Sequence, residues 1–175
     1  MFAQWYEGQR AQSESWLHDL HRHPETGFEE LRTAAFVADR LREFGIDVTT
    51  GIGGTGVVGT LRGCGASGRC VAFRAELDAL PMTERTGLAY ASDDSKRFHG
   101  CGHDGHTVTA LTAAAYLARR RDFDGIVRFI FQPEQCPAAS SLGGFPTRVV
   151  VAPVCSVPTR PTSENLHLSG PSASA

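Results

Sequence analysis

Residues 104–134 read DGHTVTALTAAAYLARRRDFDGIVRFIFQPE, and this stretch predicts a helix followed directly by a buried strand. Asp104 stands at the positive end of the expected helix and Arg119 to Arg121 stand at its negative end, as the helix dipole favours. Ala, Leu and Val cover most of the helix circumference, so we expect the helix to be largely buried. The apolar run GIVRFIF suits the interior of a sheet. A helix that leads into such a strand predicts an α/β fold.

Two further helices are predicted upstream. The stretch SESWLHDLHRH, residues 13–23, indicates a helix that ends near Pro24. The stretch FEELRTAAFVADRLREFG, residues 28–45, is the stronger pattern, with Glu29 and Glu30 in the first turn and Gly45 as a stop. Its apolar residues recur at helical spacing and are expected to face the core: Leu31, Ala34, Ala35, Ala38 and Leu41.

Strands are predicted between these helices. IDVTTGIGGTGVVGTLRG, residues 46–63, favours two strands around a glycine turn, and RCVAFRAELDALP, residues 69–81, favours a strand that runs into a polar turn. Gly51, Gly53 and Gly56 have the spacing of a dinucleotide-binding fingerprint, but that fingerprint needs a helix after the turn. The following residues, VVGTLRG, are strand-like, so we expect a hairpin. The alternation of strands and helices predicts a sheet covered by helices.

Length and composition exclude several classes of function. The chain has 175 residues and a formal net charge of -2 without a long basic run, which argues against a nucleic-acid partner. No apolar stretch approaches the ~20 residues that span a bilayer, and MFAQWYEGQR lacks the features of a signal peptide. We therefore expect no membrane partner and a cytoplasmic location. The five cysteines are an odd number, which argues against a disulfide framework and leaves metal binding or catalysis open.

The composition changes near Cys136. Of 17 basic and 19 acidic side chains, only Arg148, Arg160 and Glu164 lie in residues 137–175, which also hold six of the nine prolines. Such a composition is typical of a segment that stays poorly ordered or packs irregularly. We predict one folded part, residues 1–136, and a separate Pro/Ser-rich tail, residues 137–175.

Three polar clusters flank the predicted strands and helix. They are Glu76 with Asp78, then Cys101 with His103, Asp104 and His106, and finally Glu134. The two acidic clusters come just after strands, and the Cys/His loop opens onto a helix N-terminus. Because ligands bind beyond the carboxyl ends of strands in open α/β sheets, we expect the three clusters to form one site.

The loop FHGCGHDGHT, residues 98–107, favours a metal site. Thiolate and imidazole suit Zn²⁺ and similar ions, and Cys101 and His103 place two donors two residues apart. Asp78 would be a further ligand or would orient a histidine. Three alternatives stay open at this point: a polar turn that caps the helix, a Cys–His nucleophile pair at Cys101, and a structural zinc site, for which the paired Cys/His spacing of a zinc finger is absent.

Four motifs in the same order carry a resemblance to a known family. They are LHRHPETGFEE, FRAELDALPMTE, HGCGHDGHT and VRFIFQPE, and together they cover roughly residues 15–135. The chain resembles the metal-dependent amidohydrolases that include hippurate hydrolase, auxin–amino acid conjugate hydrolases and N-acyl-amino acid deacylases, relatives of aminoacylase and carboxypeptidase G. The resemblance implies a partial α/β/α sandwich of the zinc-dependent exopeptidase type, without the lid domain. It also implies that a two-metal centre, Zn²⁺ or Mn²⁺, activates water to hydrolyse the amide bond of a small N-acyl amino acid or peptide-like substrate.

The resemblance also implies residue roles. The motif CGHDGH makes Cys101 and His103 metal ligands, and Asp78 belongs to the groups that support the centre. The family pattern FQPAEE supplies a general base and then a metal-binding glutamate. This chain reads FQPEQC, so Glu134 is the base only if one residue is deleted, whereas an ungapped alignment places Gln135 and Cys136 at the two glutamates.

The later family histidines and the second half of the family pattern are not found in the sequence. We therefore expect a truncated form with weak or no hydrolytic activity, and a shifted reading frame is one hypothesis for its tail. The alternative is a non-catalytic remnant that binds metal weakly and associates with itself, as a homodimer for example, through exposed apolar surface.

Overall fold

The computed structural model describes residues 2–134. Within them lie α1 (Phe2–Arg22), α2 (Leu31–Glu43), β1 (Asp47–Ile52), β2 (Gly56–Arg62), β3 (Gly65–Glu76), α3 (His103–Arg120) and β4 (Asp124–Gln132). The predicted boundary at residue 136 and the tail 137–175 lie outside the described residues, as do Gln135 and Cys136. The helix and strand predicted for residues 104–134 are confirmed, each within about two residues.

The four strands form one mixed sheet in the order β1-β2-β4-β3. β1 and β2 form an antiparallel hairpin around the predicted glycine turn, where Gly51, Gly53 and Gly54 have φ angles of 78°, 63° and 108°. Such angles favour glycine because a side chain would clash with the backbone. β4 pairs with β2 antiparallel and with β3 parallel, and α3 connects the two parallel strands. The hairpin and the α/β class are therefore confirmed.

The core lies between one face of this sheet and the three helices. Burial alternates along β4, and its inward residues are Val127, Phe129 and Phe131. They pack with residues of α1, α2 and α3, among them Leu20, Leu41 and Leu111. Each such side chain contributes about 1.5–3 kcal/mol through the removal of apolar surface from water. Residues 2–134 thus supply one helical layer of the predicted α/β/α sandwich.

Two local predictions were wrong. α1 begins at Phe2 instead of Ser13, because its first turns pack an aromatic cluster against Tyr116 of α3, a tertiary contact that sequence periodicity does not show. α2 begins at Leu31, after Glu29 and Glu30, and Leu31 is 73% exposed. Ala38 and Leu41 of the predicted apolar residues are buried, and Thr33 and Val37 complete the buried stripe of α2.

The end of β3 and the first turns of α3 lie side by side. The hydroxyl of Thr107, in the first turns of α3, donates a hydrogen bond of 2.9 Å to the carbonyl oxygen of Glu76, the last residue of β3. This contact fixes the start of α3 beside the end of β3. In the described part of the chain, no helix is both long and apolar enough to span a bilayer.

Candidate metal centre

Three side chains from β3 and α3 converge at this junction. Glu76 ends β3, while His103 and His106 lie three residues apart in the first turn of α3 and therefore share one helix face. One potential ligand atom from each residue lies within 4.8 Å of the other two. Among residues 2–134 no other group of three His, Cys, Asp or Glu side chains meets this distance. We call these three residues the metal-donor cluster.

Asp78 orients His103. The Nδ1–H of His103 donates to the Asp78 main-chain carbonyl oxygen at 2.9 Å and to the carboxylate Oδ1 at 3.0 Å. Because both partners are acceptors, the proton belongs on Nδ1, and the lone pair of the neutral ring lies on Nε2. Burial by itself lowers the pKa of His103, but the hydrogen bonds and charge of Asp78 outweigh it and raise that pKa above its ordinary value.

Glu76 is the buried member of the cluster, at 5% exposure. One carboxylate oxygen, Oε1, accepts a hydrogen bond of 2.8 Å from Arg74, and the other, Oε2, lies 2.9 Å from Nδ1 of His106. Arg74 in turn donates to the side chain of Gln132 on β4 at 2.6 Å. The arginine therefore holds the carboxylate in place and leaves Oε2 directed toward the histidine.

The donor atoms fit a zinc or manganese ion. Two imidazoles and one carboxylate are common ligands of Zn²⁺, with bonds of about 2.0–2.2 Å. Ligand atoms around a tetrahedral ion lie about 3.4 Å apart, and the three candidate ligand atoms, which all lie within 4.8 Å of one another, are close to that spacing. The site also keeps its imidazoles open to solvent, because their side chains are 18% and 33% exposed.

Two residues predicted for the site are not members of this cluster. Cys101 is an exposed free cysteine and does not belong to the metal-donor cluster. Gly102 follows it with a φ of 76° and begins the turn into α3. Glu134 comes after β4, where its backbone N–H donates to the buried carboxylate of Glu30 at 3.2 Å. Its side chain packs over Gly27, since a Cβ placed on that glycine would lie 2.4 Å from the Cβ of Glu134.

The structure thus brings together Asp78 and His103 from the predicted set and adds two donors. Glu76 and His106 were recognised as polar cluster members but not as ligands. The spacing of His103 and His106, three residues apart at the start of a helix, was the signal that could have paired them. Their distance to Glu76 depends on tertiary packing across 30 residues of sequence.

Comparisons with known proteins relate the chain to a peptidase family. Residues 72–142 match the model of the family described as Peptidase family M20/M25/M40. The chain is similar to hippurate hydrolase of Campylobacter jejuni, with 48% identity over 127 residues, which is 73% of this chain and 32% of the relative. It is also similar to an N-acetyl-L-cysteine deacetylase of Bacillus subtilis, with 40% identity over 132 residues, 75% of this chain and 30% of the relative.

The chain is also similar to a solved structure from this family. The crystal structure of a dinuclear metal-binding peptidase of the M20 family from Bacillus subtilis covers 73% of this chain, with a TM-score of 0.69 and 37% sequence identity. The match takes in 36% of that protein. The chain spans about a third of the length of the curated relatives that it matches.

Proposed function

Because the chain belongs to the M20/M25/M40 peptidase family, of whose members it spans about a third, we propose that it carries the metal-binding part of an amidohydrolase. The proposed reaction is hydrolysis of the amide bond of small N-acyl amino acids or short peptide-like conjugates. The observation that carries the proposal is the metal-donor cluster, in which Glu76, His103 and His106 converge within 4.8 Å. Two curated relatives, a hippurate hydrolase and an N-acetyl-L-cysteine deacetylase, support the substrate class by their names.

A bound Zn²⁺ or Mn²⁺ ion would supply Lewis-acid activation of water and of the substrate carbonyl. We propose that Glu76, His103 and His106 hold it, and that Asp78 keeps the Nε2 lone pair of His103 available by binding Nδ1–H. Cys101 stays a predicted ligand from the resemblance, and His103 is common to both ligand sets. A second ion, as in the dinuclear relative, would need donors in addition to the cluster.

Glu134 is the proposed general base, which would take a proton from water and return it to the leaving amine. Its backbone N–H bonds to Glu30 and its side chain packs against Gly27, and Glu134 is not a member of the metal-donor cluster. The neighbouring Gln135 offers an amide where the family pattern has a second glutamate. These two features support weak activity for this chain, and they favour metal binding without efficient turnover as the second candidate function.

Metal content per chain tests the proposal. The purified protein is loaded with Zn²⁺ or Mn²⁺, dialysed and measured by plasma mass spectrometry, and its affinity is measured by calorimetry. We expect at least one ion per chain, and at least tenfold weaker binding in Glu76→Gln and His103→Asn. His23→Asn, at an exposed histidine that directly follows α1, is the matched control. Unchanged binding in both cluster variants would refute the site.

The same titration separates the two ligand sets. A loss of affinity in Cys101→Ser would place the thiolate in the coordination sphere, and unchanged affinity would leave the cluster as the site. Release of free amino acid from N-acetyl and N-benzoyl amino acids then measures turnover. Two tightly bound ions and rapid hydrolysis would favour a complete enzyme, whereas one weakly bound ion without hydrolysis would favour the metal-binding alternative. The cytoplasmic location and the homodimer stay predictions.

A further inference from the structure

His21, near the end of α1, lies between two buried carboxylates. Its Nδ1 donates to Oδ2 of Asp104 at 2.6 Å, and its Nε2 lies 3.3 Å from Oε1 of Glu84. The side chains of all three residues are at most a tenth exposed. Hydrogen bonds between charged or polar groups at such depth are shielded from water and hold a defined geometry. We call this arrangement the His21 bridge.

One end of the bridge is the first turn of α3. Asp104 directly follows His103, and its Oδ1 accepts a hydrogen bond of 2.8 Å from the backbone N–H of Gly105, within the same turn that carries His106. A carboxylate held between α1 and this turn restricts the rotation of α3 about its axis. That rotation determines where His103 and His106 point relative to Glu76.

The other end of the bridge is the loop that follows β3. Glu84 accepts the backbone N–H of Ser92 at 2.6 Å and the hydroxyl of Thr86. Burial raises the pKa of Glu84, but these hydrogen bonds and His21 outweigh burial and hold its pKa below the ordinary value. Glu84 is therefore an anchored anion, and the imidazole is fixed from both sides.

Two aromatic rings also contact His21. Tyr90 and Phe98 contact its ring edge-on, at centroid distances of 5.4 and 5.6 Å. Phe98 is the first residue of the Cys/His loop and pairs with Leu80 through an isolated β-bridge. His21 therefore contacts both the loop between β3 and α3 and the first turn of α3, although it is not itself a member of the metal-donor cluster.

From this geometry we infer that His21 is a positioning residue for the metal site: through Asp104 it sets the orientation of His103 and His106. The inference rests on the proposed function, because it requires that the cluster binds a metal. Residues that hydrogen-bond behind metal-binding groups commonly alter metal affinity by about 10- to 100-fold when they are replaced. A histidine that only stabilised the fold would change the unfolding midpoint but not the geometry of the bound ion.

Cobalt titration of the full chain tests this role, because the visible spectrum of Co²⁺ reports coordination geometry. His21→Phe keeps a ring between Tyr90 and Phe98 and removes both hydrogen bonds. His21→Asn places an amide nitrogen where Nδ1 lies, so it retains the bond to Asp104, whereas His21→Gln places one where Nε2 lies and retains only the contact with Glu84. His23→Phe, at an exposed histidine two residues further along the chain, is the matched control.

We expect Co²⁺ binding to weaken about 10- to 100-fold in His21→Phe and His21→Gln with an altered spectrum, and to stay within about threefold of wild type in His21→Asn and in the control. Equal affinity and spectrum in wild type and His21→Phe would overturn the inference and leave the metal site standing. Equal losses of Co²⁺ affinity in His21→Asn and His21→Gln would also overturn the inference. If His21→Phe does not fold, the comparison of these two variants is the deciding test. No Co²⁺ binding by the wild type would overturn the proposed function itself.

Discussion

Replacement of Glu30 by leucine is expected to destabilise the protein strongly, although the change adds apolar surface to a buried position. The carboxylate of Glu30 is 0% exposed, and it accepts one hydrogen bond from the hydroxyl of Thr55 at 2.6 Å and one from the backbone N–H of Glu134 at 3.2 Å. Leucine has no acceptor for either donor. Thr55 is itself buried and Glu134 is half-buried, so water cannot fully replace the lost partner.

The expected magnitude follows from these two donors. An unsatisfied buried donor costs about 1–3 kcal/mol, and removal of a desolvated carboxylate returns part of that cost. We therefore expect Glu30→Leu to lower the free energy of unfolding by about 2–4 kcal/mol. Glu30→Gln should cost only about 1 kcal/mol, because its amide oxygen can accept from Glu134 while its NH₂ donates to the hydroxyl oxygen of Thr55.

Urea unfolding followed by circular dichroism measures both variants. Glu29→Leu is the control, since Glu29 pairs with Arg97 at 3.0 Å on the surface and its side chain is 60% exposed. Exposed ion pairs of this kind contribute at most about 1 kcal/mol. If Glu30→Leu unfolded at the wild-type urea concentration, or cost no more than Glu29→Leu, the two buried hydrogen bonds would not stabilise the fold by the expected amount.

Three further outcomes are expected. Phe129→Ala, at a fully buried position of β4, should lower the free energy of unfolding by about 3–5 kcal/mol in the same urea assay. Gly102→Ala should cost about 1–2 kcal/mol because of the φ of 76°, and it should weaken metal binding through the adjacent His103, whereas Gly68→Ala, in open space, should do neither. Burial lowers the pKa of His99 from 6.5 to about 4. As the pH falls, the imidazole of His99 is therefore protonated in the unfolded state before it is protonated in the folded state. The stability contribution of His99 is therefore complete above pH 6.5 and is lost toward pH 4, by about 3 kcal/mol, and urea midpoints measured from pH 7 to 4.5 should fall less steeply in His99→Phe.

Local pattern predicted the elements of the fold but not every boundary. The helix α3 and the strand β4 were visible because apolar residues fill the sequence from Val108 to Phe131 with helical and then strand-like character. The hairpin was visible because glycines occupy the positions with positive φ. The first turns of α1 were missed, since the contact of Phe2 with Tyr116 joins residues far apart in sequence.

The candidate site was predictable in chemistry and only partly in geometry. The Cys/His loop and the acidic residues after β3 indicated a metal site, and the structure places Asp78 against His103. The pairing of Glu76 with His106 depends on how α3 docks beside β3, which no local spacing encodes. The position of Glu134 depends likewise on Glu30, 104 residues earlier, so sequence alone gave its residue type but not its surroundings.

The place of β4 in the sheet also imposes an order on folding during synthesis. β4 is the last described strand to be translated, yet it lies between β2 and β3 and is the strand that joins them. While the ribosome is still making residues before Asp124, the β1–β2 hairpin can form, but β3 lacks its neighbour and Phe73 lacks the stacked ring of Phe129. Pairing between strands distant in sequence is slow and leaves apolar edges exposed in the meantime. The nascent chain therefore holds its metal-donor residues before it has the sheet that aligns them, and chaperone contact is expected at this stage.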